Sequence, residues 1–467
     1  DRFEEFFNFK PSIWHSKIGV KSKRKIWQGI TNNSLNLVIG ARSSLLLPFK
    51  NLGLIVLDEE HDPSYKQDEG ITYHARDMAI ARASFENIPI HLVSAVPSLE
   101  TFNNVKNKKY NHTKLINRYS KSSLPEAKVI NLQKTELKKD HFIAREAIDI
   151  ANEYLKKKEQ VLFFLNRRGY APFLICKKCG YKHICSNCSI YLTYHKSINK
   201  LICHHCGNKI SKDNPCKADK DFCDFRMYGP GVEKIYEELK NIFPKKNIKI
   251  FSSDFLSKKD ETESILRKIE KNEIDILVGT QLISKGFNFQ KLNCIVVVDA
   301  DFSGMGYDLR TTEKNIQLYN QLSGRAGRFS KKSTIIYQTI TPYNETLQDV
   351  LENNPEKFLN NELLVRKKKN LPPFSRLIAL IISASNSQDS FRAAQEIKKK
   401  LSILVELDIL GPVDSPIFRI KKKFRTRLLL RSKNDNLIQK KVGKIIENLT
   451  ISKKIKLTVD VDPINFT

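Results

Sequence analysis

Residues 52–62 read LGLIVLDEEHD, a short apolar run followed by consecutive charged or ionisable side chains. A strand of this kind, buried on both faces of a parallel sheet, delivers its acids to its own carboxyl end, where such sheets keep their working residues. Asp58 could there hold Mg²⁺ directly or through water, because magnesium prefers oxygen ligands and bridges nucleotide phosphates. Glu59 could polarise the water that attacks a γ-phosphate, and His61 could link the site to moving parts. The bland alternative is an acidic strand-to-loop junction. No G-x-x-x-x-G-K-[ST] phosphate loop occurs in the chain, so one half of an ATP site stands without the other.

Working outward, the same pattern recurs. Apolar, β-branched runs at 35–40, 90–95, 161–165, 274–279, 293–298 and 333–339 end in polar or glycine-containing turns. Helical stretches at 75–85 and 231–243 lie between some of them. Strands alternating with helices predict parallel sheets. Two α/β units, about 1–115 and 136–345, are expected to face a shared cleft, with 116–135 as a connector. The turns IGARSS (39–44), NRRGYAP (166–172) and DILVGTQLISKGFNF (275–289) offer donors suited to a phosphodiester backbone. Their candidate DNA contacts are Arg42, Ser43, Arg167, Thr280 and Lys285. In QLSGRAGR (321–328), Arg325 and Arg328 would share one face if the stretch is helical, and could stabilise charge building on a γ-phosphate.

Eight of the nine cysteines lie between residues 176 and 223, as C176-x2-C179-x5-C185-x2-C188-x14-C203-x2-C206-x9-C216-x6-C223. Thiolates two residues apart can reach one tetrahedral zinc, and eight saturate two ions with no position left for water. The expected ions are therefore structural, with His183, His204 and His205 as competing ligands nearby. Residues 170–228 read as an insertion into the second unit, and Cys294 as a buried strand residue. Beyond 346, LPPF (371–374) turns into a last domain in which apolar and basic residues alternate, as in FRIKKKFRTRLLLRS (418–432). The net charge of +29 would attract polyanions. No apolar run nears the ~18–20 residues that span a bilayer, and the start has no signal-peptide pattern. A cytoplasmic protein is expected.

Together these stretches resemble the PriA family of replication-restart DNA helicases, superfamily-two DExH motors of bacteria. IGARSSLLLPF, VLDEEHDPSYKQ, YHARDMA, LVSAVPSLE, FLNRRGYAP, ILVGTQLISKG, VVVDADF and QLSGRAGR fall in that family's order, followed by NLPPFSRLIAL, GPVDSPIFRI and DVDP. The resemblance implies two RecA-like lobes, the first incomplete, a two-zinc insertion in the second (170–228), and a C-terminal α+β domain over 346–467. It implies an ATP- and Mg-dependent 3′→5′ helicase that recognises branched forks and single-stranded DNA. Other primosome proteins and the single-stranded-DNA-binding protein are the implied partners. Asp58 and Glu59 would serve Mg²⁺ binding and hydrolysis, Gln321, Arg325 and Arg328 the γ-phosphate, and His61 and Gly286 the nucleotide site. One zinc would take Cys185, Cys188, Cys203 and Cys206, the other Cys176, Cys179, Cys216 and Cys223.

Departures from the family pattern are the widened Cys216–Cys223 spacing, Val96 in place of Thr, and Phe287 and Asn288 in place of His and Asp. The Gly-Lys-Thr loop and the fork-binding domains would precede residue 1. The rival reading is a non-motor, zinc-bearing DNA-binding or primosome-assembly protein.

Overall fold

In the computed structural model the described residues are 2–67, 70–115, 123–137, 141–165, 174–176, 178–186, 192–195, 199–203, 207–211, 215–216, 224–227, 232–251, 259–280, 289–301, 308–327, 332–420, 422–433 and 437–465. The chain forms two compact units, Asp1–Ser98 and Leu99–Thr467.

The first unit opens with helix Arg2–Phe7 (α1), strand Ser12–Trp14 (β1), helix Val20–Thr31 (α2) and strand Val38–Gly40 (β2), with β1 and β2 parallel. Strand Ile55–Asp58 (β3) follows, then the short antiparallel pair Lys66–Gln67 (β4) and Tyr73–His74 (β5), helix Ala75–Glu86 (α3) and strand Ile90–Val93 (β6). β3 and β6 pair in parallel, from Ile55 opposite Ile90 to Asp58 opposite Val93. Asp58 and the residues after Val93 therefore leave the sheet at the same end. α3 buries Ala75, Ala79 and Ala83, a stripe of small side chains at four-residue spacing that lets the helix pack closely. Its Arg82 donates to the Leu47 carbonyl at 2.9 Å and to that of Leu45, tying the IGARSSLLLPF turn to the helix.

In the second unit come helix Leu99–Lys106 (α4), strand Glu126–Asn131 (β7), helix Arg145–Lys156 (α5) and strand Gln160–Phe164 (β8). The cysteine-rich insertion then supplies five short strands: Leu174–Cys176 (β9), Thr193–His195 (β10), Lys200–Ile202 (β11), Lys209–Ser211 (β12) and Phe225–Met227 (β13). The main sheet resumes with helix Val232–Ile242 (α6), strand Ile248–Phe251 (β14), helix Lys259–Glu270 (α7) and strands Ile276–Gly279 (β15) and Leu292–Val297 (β16). Helix Thr311–Ser323 (α8) and strand Thr334–Thr339 (β17) complete it. The order is β14-β15-β8-β16-β17-β7, all parallel. β8, β15 and β16 are buried along their whole length, as continuous apolar runs require. Cys294 lies within β16 with no exposed surface, and burial pushes its thiol up to about 12.

The connector expected over 116–135 needs correcting. Its EAKVIN stretch is β7, the edge strand of this sheet, running parallel to β17. An edge strand is half exposed, so its polar residues hide the apolar run by which central strands announce themselves.

Helices Glu345–Leu351 (α9) and Pro355–Lys368 (α10) follow, each capped by an Asn side chain, Asn344 and Asn354. The last domain runs strand Ser375–Ala384 (β18), helix Ser387–Leu401 (α11), strands Asp408–Ile420 (β19) and Lys423–Lys433 (β20), helix Leu437–Glu447 (α12) and strand Lys456–Val461 (β21). The antiparallel order β19-β20-β18-β21 is a split β-α-β arrangement of ferredoxin-like type. Ile378, Leu380, Leu428 and Leu430 pack against Ala394, Ile397 and Val442 of its helices.

Arg366 of α10 is almost fully buried and holds this region together. Its Nε donates to Glu362 at 2.7 Å, and its terminal nitrogens donate to the carbonyls of Pro372 and Leu309, both at 3.1 Å. Glu313 of α8 lies 3.6 Å away and accepts the Leu99 amide at 3.0 Å. Removing one partner of a buried ionic network strands the other charges, so Arg366→Leu should destabilise the second unit by about 3–5 kcal/mol. Urea unfolding followed by tryptophan-independent far-ultraviolet dichroism checks this; a midpoint equal to wild type would contradict it.

Candidate functional site

The four side chains from the last residue of β3 onward, Asp58 to His61, diverge in role. Asp58 ends the strand, exposed, and its Oδ1 accepts the Glu59 amide at 3.0 Å. Glu59 sits at φ 50, a left-handed conformation that costs a non-glycine residue on the order of 1–3 kcal/mol. Its Oε2 is buried without a hydrogen-bond partner among the described residues, 3.7 Å from His61 Nδ1. That nitrogen lies 2.6 Å from Ser94 Oγ, just beyond β6. The Tyr65 hydroxyl donates to the Asp58 carbonyl at 2.7 Å, and burial, then Asp58 and the neighbouring carboxylates, push it up to about 12.

Glu60, which the sequence reading passed over, is the buried member. Its carboxylate accepts the Ser98 amide at 2.6 Å, the Ser98 hydroxyl at 3.1 Å and Arg76 of α3 at 3.1 Å. Arg76 also donates to Ser98 Oγ at 2.6 Å and to Asp77 at 3.0 Å. The DEEH turn is thus bolted to YHARDMA and LVSAVPSLE. Val96 is buried, and its amide donates to Ser94 Oγ at 3.2 Å. No local spacing signals Glu60, because its partners Arg76 and Ser98 come from α3 and the turn after β6.

Arg42 and Ser43 are engaged within the first unit. The Arg42 guanidinium donates to the Lys66 carbonyl, and exposed Ser43 accepts Trp14 Nε1 at 3.2 Å. In the second unit Thr280 is buried immediately after β15, at the carboxyl edge of the sheet. α8 carries Gln321 and stops at Ser323, so Arg325 lies in the turn after the helix, and the helical condition on which a shared face with Arg328 rested is not met over 324–327. The Arg325 amide still bonds to Leu322, but Gly327 turns to φ 66 and donates to the Leu292 carbonyl at 3.2 Å, pulling the chain onto β16. Arg325 is buried. Arg167, Lys285, Gly286 and Arg328 lie outside the described residues, as do Cys188, Cys206, Cys223, His204 and His205.

The sulfurs of Cys176, Cys179 and Cys216 lie within 4.8 Å of one another. Tetrahedral zinc with ~2.3 Å bonds needs sulfurs roughly 3.8 Å apart, so this set fits such an ion with small adjustment. The turn that holds it is specific. Gly180 follows Cys179 at φ 69, donates to the Cys176 carbonyl at 2.8 Å, and the Cys176 amide donates to Tyr181 at 3.0 Å. The Cys203 turn repeats this: Gly207 at φ 79 donates to the Cys203 carbonyl at 2.8 Å, and the Cys203 amide donates to Asn208 at 2.8 Å. Cys185 and Cys203 are buried in one small cluster with Leu192, Tyr194 and Leu201, apart from the three-sulfur set. His183 is enclosed between Tyr181 and Phe225, ring centroids 5.3 and 4.7 Å away.

The insertion is anchored to the main sheet by Lys182, another residue the sequence reading missed. Its ammonium is buried and donates to the Asp301 carbonyl at 2.6 Å. Burial pulls its pKa down, opposed by Asp301 and Asp299. The Asp301 carboxylate accepts Thr339 and the Ile340 amide, each at 2.6 Å, and Thr341. Gly180 approaches the same place, where an added Cβ would meet Thr341 at 2.6 Å.

Three family models match: the Helicase conserved C-terminal domain over 222–330, the PriA DNA helicase Cys-rich region domain over 185–210, and the Primosomal protein N C-terminal domain over 367–464. The replication restart protein PriA of Rickettsia conorii is 40% identical along the whole of this chain and 72% of its own length. The chain belongs to the PriA family. PriA of Haemophilus influenzae is 34% identical over 99% of this chain and 63% of its own length, and that of Bacillus subtilis 32% over 99% and 58%. Among solved structures, RecG bound to a three-way DNA junction is similar at 16% identity and a TM-score of 0.41, over 85% of this chain and 41% of that one. Membership of the PriA family makes this a DNA helicase-family chain of replication restart, with a cysteine-rich region of zinc-ribbon type. Among the described residues, no helix is long and apolar enough to cross a membrane.

Bound zinc should fall on Cys216→Ser and stay unchanged on Cys294→Ser. Elemental analysis of the purified proteins decides it, and equal zinc in both variants would contradict the three-sulfur set as a metal site.

Proposed function

We propose that the chain provides the nucleotide-hydrolysing and zinc-bearing parts of an ATP-dependent 3′→5′ DNA helicase that acts at stalled forks and starts reloading of the replicative helicase. The observation that carries this reading is Glu59: a strained backbone at the end of a parallel strand, with a buried carboxylate oxygen left unpartnered beside His61. Strain of this kind persists where surrounding structure over-determines it, as Glu60, Arg76 and Ser98 do here.

Magnesium supplies charge neutralisation at the nucleotide phosphates when bound. Asp58, at the strand end, would hold it with its exposed carboxylate. Glu59 accepts a proton from, and orients, the attacking water. His61, between Glu59 and Ser94, registers that carboxylate against the turn after β6. Gln321 and Arg325, with Arg328, stabilise the transferred phosphate, and His61 and Gly286 complete the nucleotide's surroundings. Thr280, Lys285, Arg167, Arg42 and Ser43 contact the DNA backbone, which positions the strand and carries no base sequence.

Two structural zinc ions belong to this reading. One takes Cys176, Cys179, Cys216 and Cys223, and the other Cys185, Cys188, Cys203 and Cys206. The matched turns at Gly180 and Gly207 support two equivalent half-sites. Thiolate ligands are kept reduced in a cytoplasmic setting. Branched and single-stranded DNA, other primosome proteins and the single-stranded-DNA-binding protein are the proposed partners.

The test is DNA-stimulated ATP hydrolysis by the entire gene product. Glu59→Gln should lower turnover by about 100- to 10,000-fold with single-stranded DNA binding retained. Turnover within a factor of about two of wild type would remove Glu59 from the mechanism.

A further inference from the structure

The two cysteine-pair turns of the insertion have the same local shape and rest on different bodies. In the first, Gly180 packs on the end of the main sheet, where an added Cβ would meet Thr341 Cγ2 at 2.6 Å and the Ile340 carbonyl at 3.2 Å. Lys182, two residues on, donates to the carbonyl of Asp301, whose carboxylate accepts the Ile340 amide. In the second, Gly207 packs on the C-terminal domain, where an added Cβ would meet Val413 Cγ1 at 2.7 Å. Val413 is buried and belongs to β19, the edge strand of its sheet. The pairing of β19 with β20 shifts register between Leu410 and Val413, so the second turn sits at an irregularity of that edge. Leu309 adds a further link. It packs against the insertion cluster of Leu192 and Leu201, and also against Leu377, Ala379 and Leu429 of the C-terminal sheet.

An insertion that only decorated the motor would rest on one body. This one spans two, and at each contact a glycine at positive φ brings backbone against a side chain that leaves no room for a Cβ. Such contacts tolerate little change in the shape of the turn, and a metal held by the turn's thiolates fixes that shape. An irregular edge strand opens easily unless other chain covers it, and the second turn does so at Val413. We infer that the insertion is a strut that fixes the C-terminal domain on the motor sheet, with the Cys176–Gly180 turn as its foot on the sheet and the Cys203–Gly207 turn as its foot on β19. Each metal then governs one foot, and the pose of the C-terminal domain depends on the ion held by the Cys203 set. For that metal dependence the inference rests on the two-zinc reading, and it goes further by giving the two ions separate tasks.

Hydrogen–deuterium exchange of the full chain, read by mass spectrometry with zinc measured on the same samples, tests it. Cys203→Ser should raise exchange across 408–414 by about 10-fold or more and leave 338–341 as in wild type. Cys176→Ser should do the reverse. Gly207→Ala keeps every thiolate and should open 408–414 to a similar extent with zinc unchanged. Adding Val413→Ala, which removes the methyl that the new Cβ meets, should bring that exchange back toward wild type. Equal opening of both segments in both cysteine variants would overturn the inference, and so would no opening of either where zinc is lost. Failure of Gly207→Ala to open 408–414, or of Val413→Ala to reverse it, would overturn it as well. Full zinc content in Cys203→Ser would sink the two-zinc reading alone, because the Gly207 and Val413 variants decide the strut in either case.

Discussion

A parallel sheet buried on both faces leaves its chain only one place for polar chemistry, the strand ends. In the second unit β8, β15 and β16 expose almost nothing, so Thr280, Asp299 and Asp301 collect at the carboxyl edge. In the first unit the expected burial of β3 on both faces does not hold, since Val56 and Val93 are exposed, yet the register of β3 on β6 still brings Asp58 and Ser94 to the same end. The nearness of the acid turn to the serine turn follows from that register. A one-residue slip would turn each β3 side chain to the opposite face.

Burial at those ends imposes a second demand, that each charge drawn inward finds partners. Glu60 meets Arg76 and Ser98, Asp301 meets Thr339, Ile340 and Thr341, and Glu313 lies between Arg310 and Arg366. Such groups cost several kcal/mol each to desolvate and return little net stability. What they provide is geometry. Glu60 fixes the turn in which Glu59 is held at positive φ, and Lys182 fixes where the cysteine-rich insertion meets the sheet. Among the described residues the insertion shows a small apolar cluster around Leu192 and Leu201, and Lys182 ties it to the sheet.

Much of this was legible in the sequence, for physical reasons. Continuous apolar runs marked β8, β15, β16 and β17 because buried parallel strands have no solvent face to mark with polar residues. The acid turn and the paired cysteines were legible because their chemistry depends on local spacing. What stayed hidden depends on distance along the chain. Glu60 and Ser98 are 38 positions apart, and Lys182 and Asp301 are 119 apart, so spacing carried no trace of either contact. β7 was missed as a half-polar edge, and whether QLSGRAG continues as a helix was left open because Gly327's turn onto β16 is a tertiary effect. The order β19-β20-β18-β21 was likewise beyond what the alternation of apolar and basic residues after LPPF shows.

The central claim is that the acid turn belongs to a motor moving along DNA in one direction. The most direct measurement is strand displacement by the entire gene product on duplexes with a 3′ or a 5′ single-stranded tail, with and without ATP. Displacement of the 3′-tailed substrate alone, and only with ATP, is the predicted result. Displacement independent of ATP, equal displacement of both substrates, or none at all with DNA bound, would contradict it.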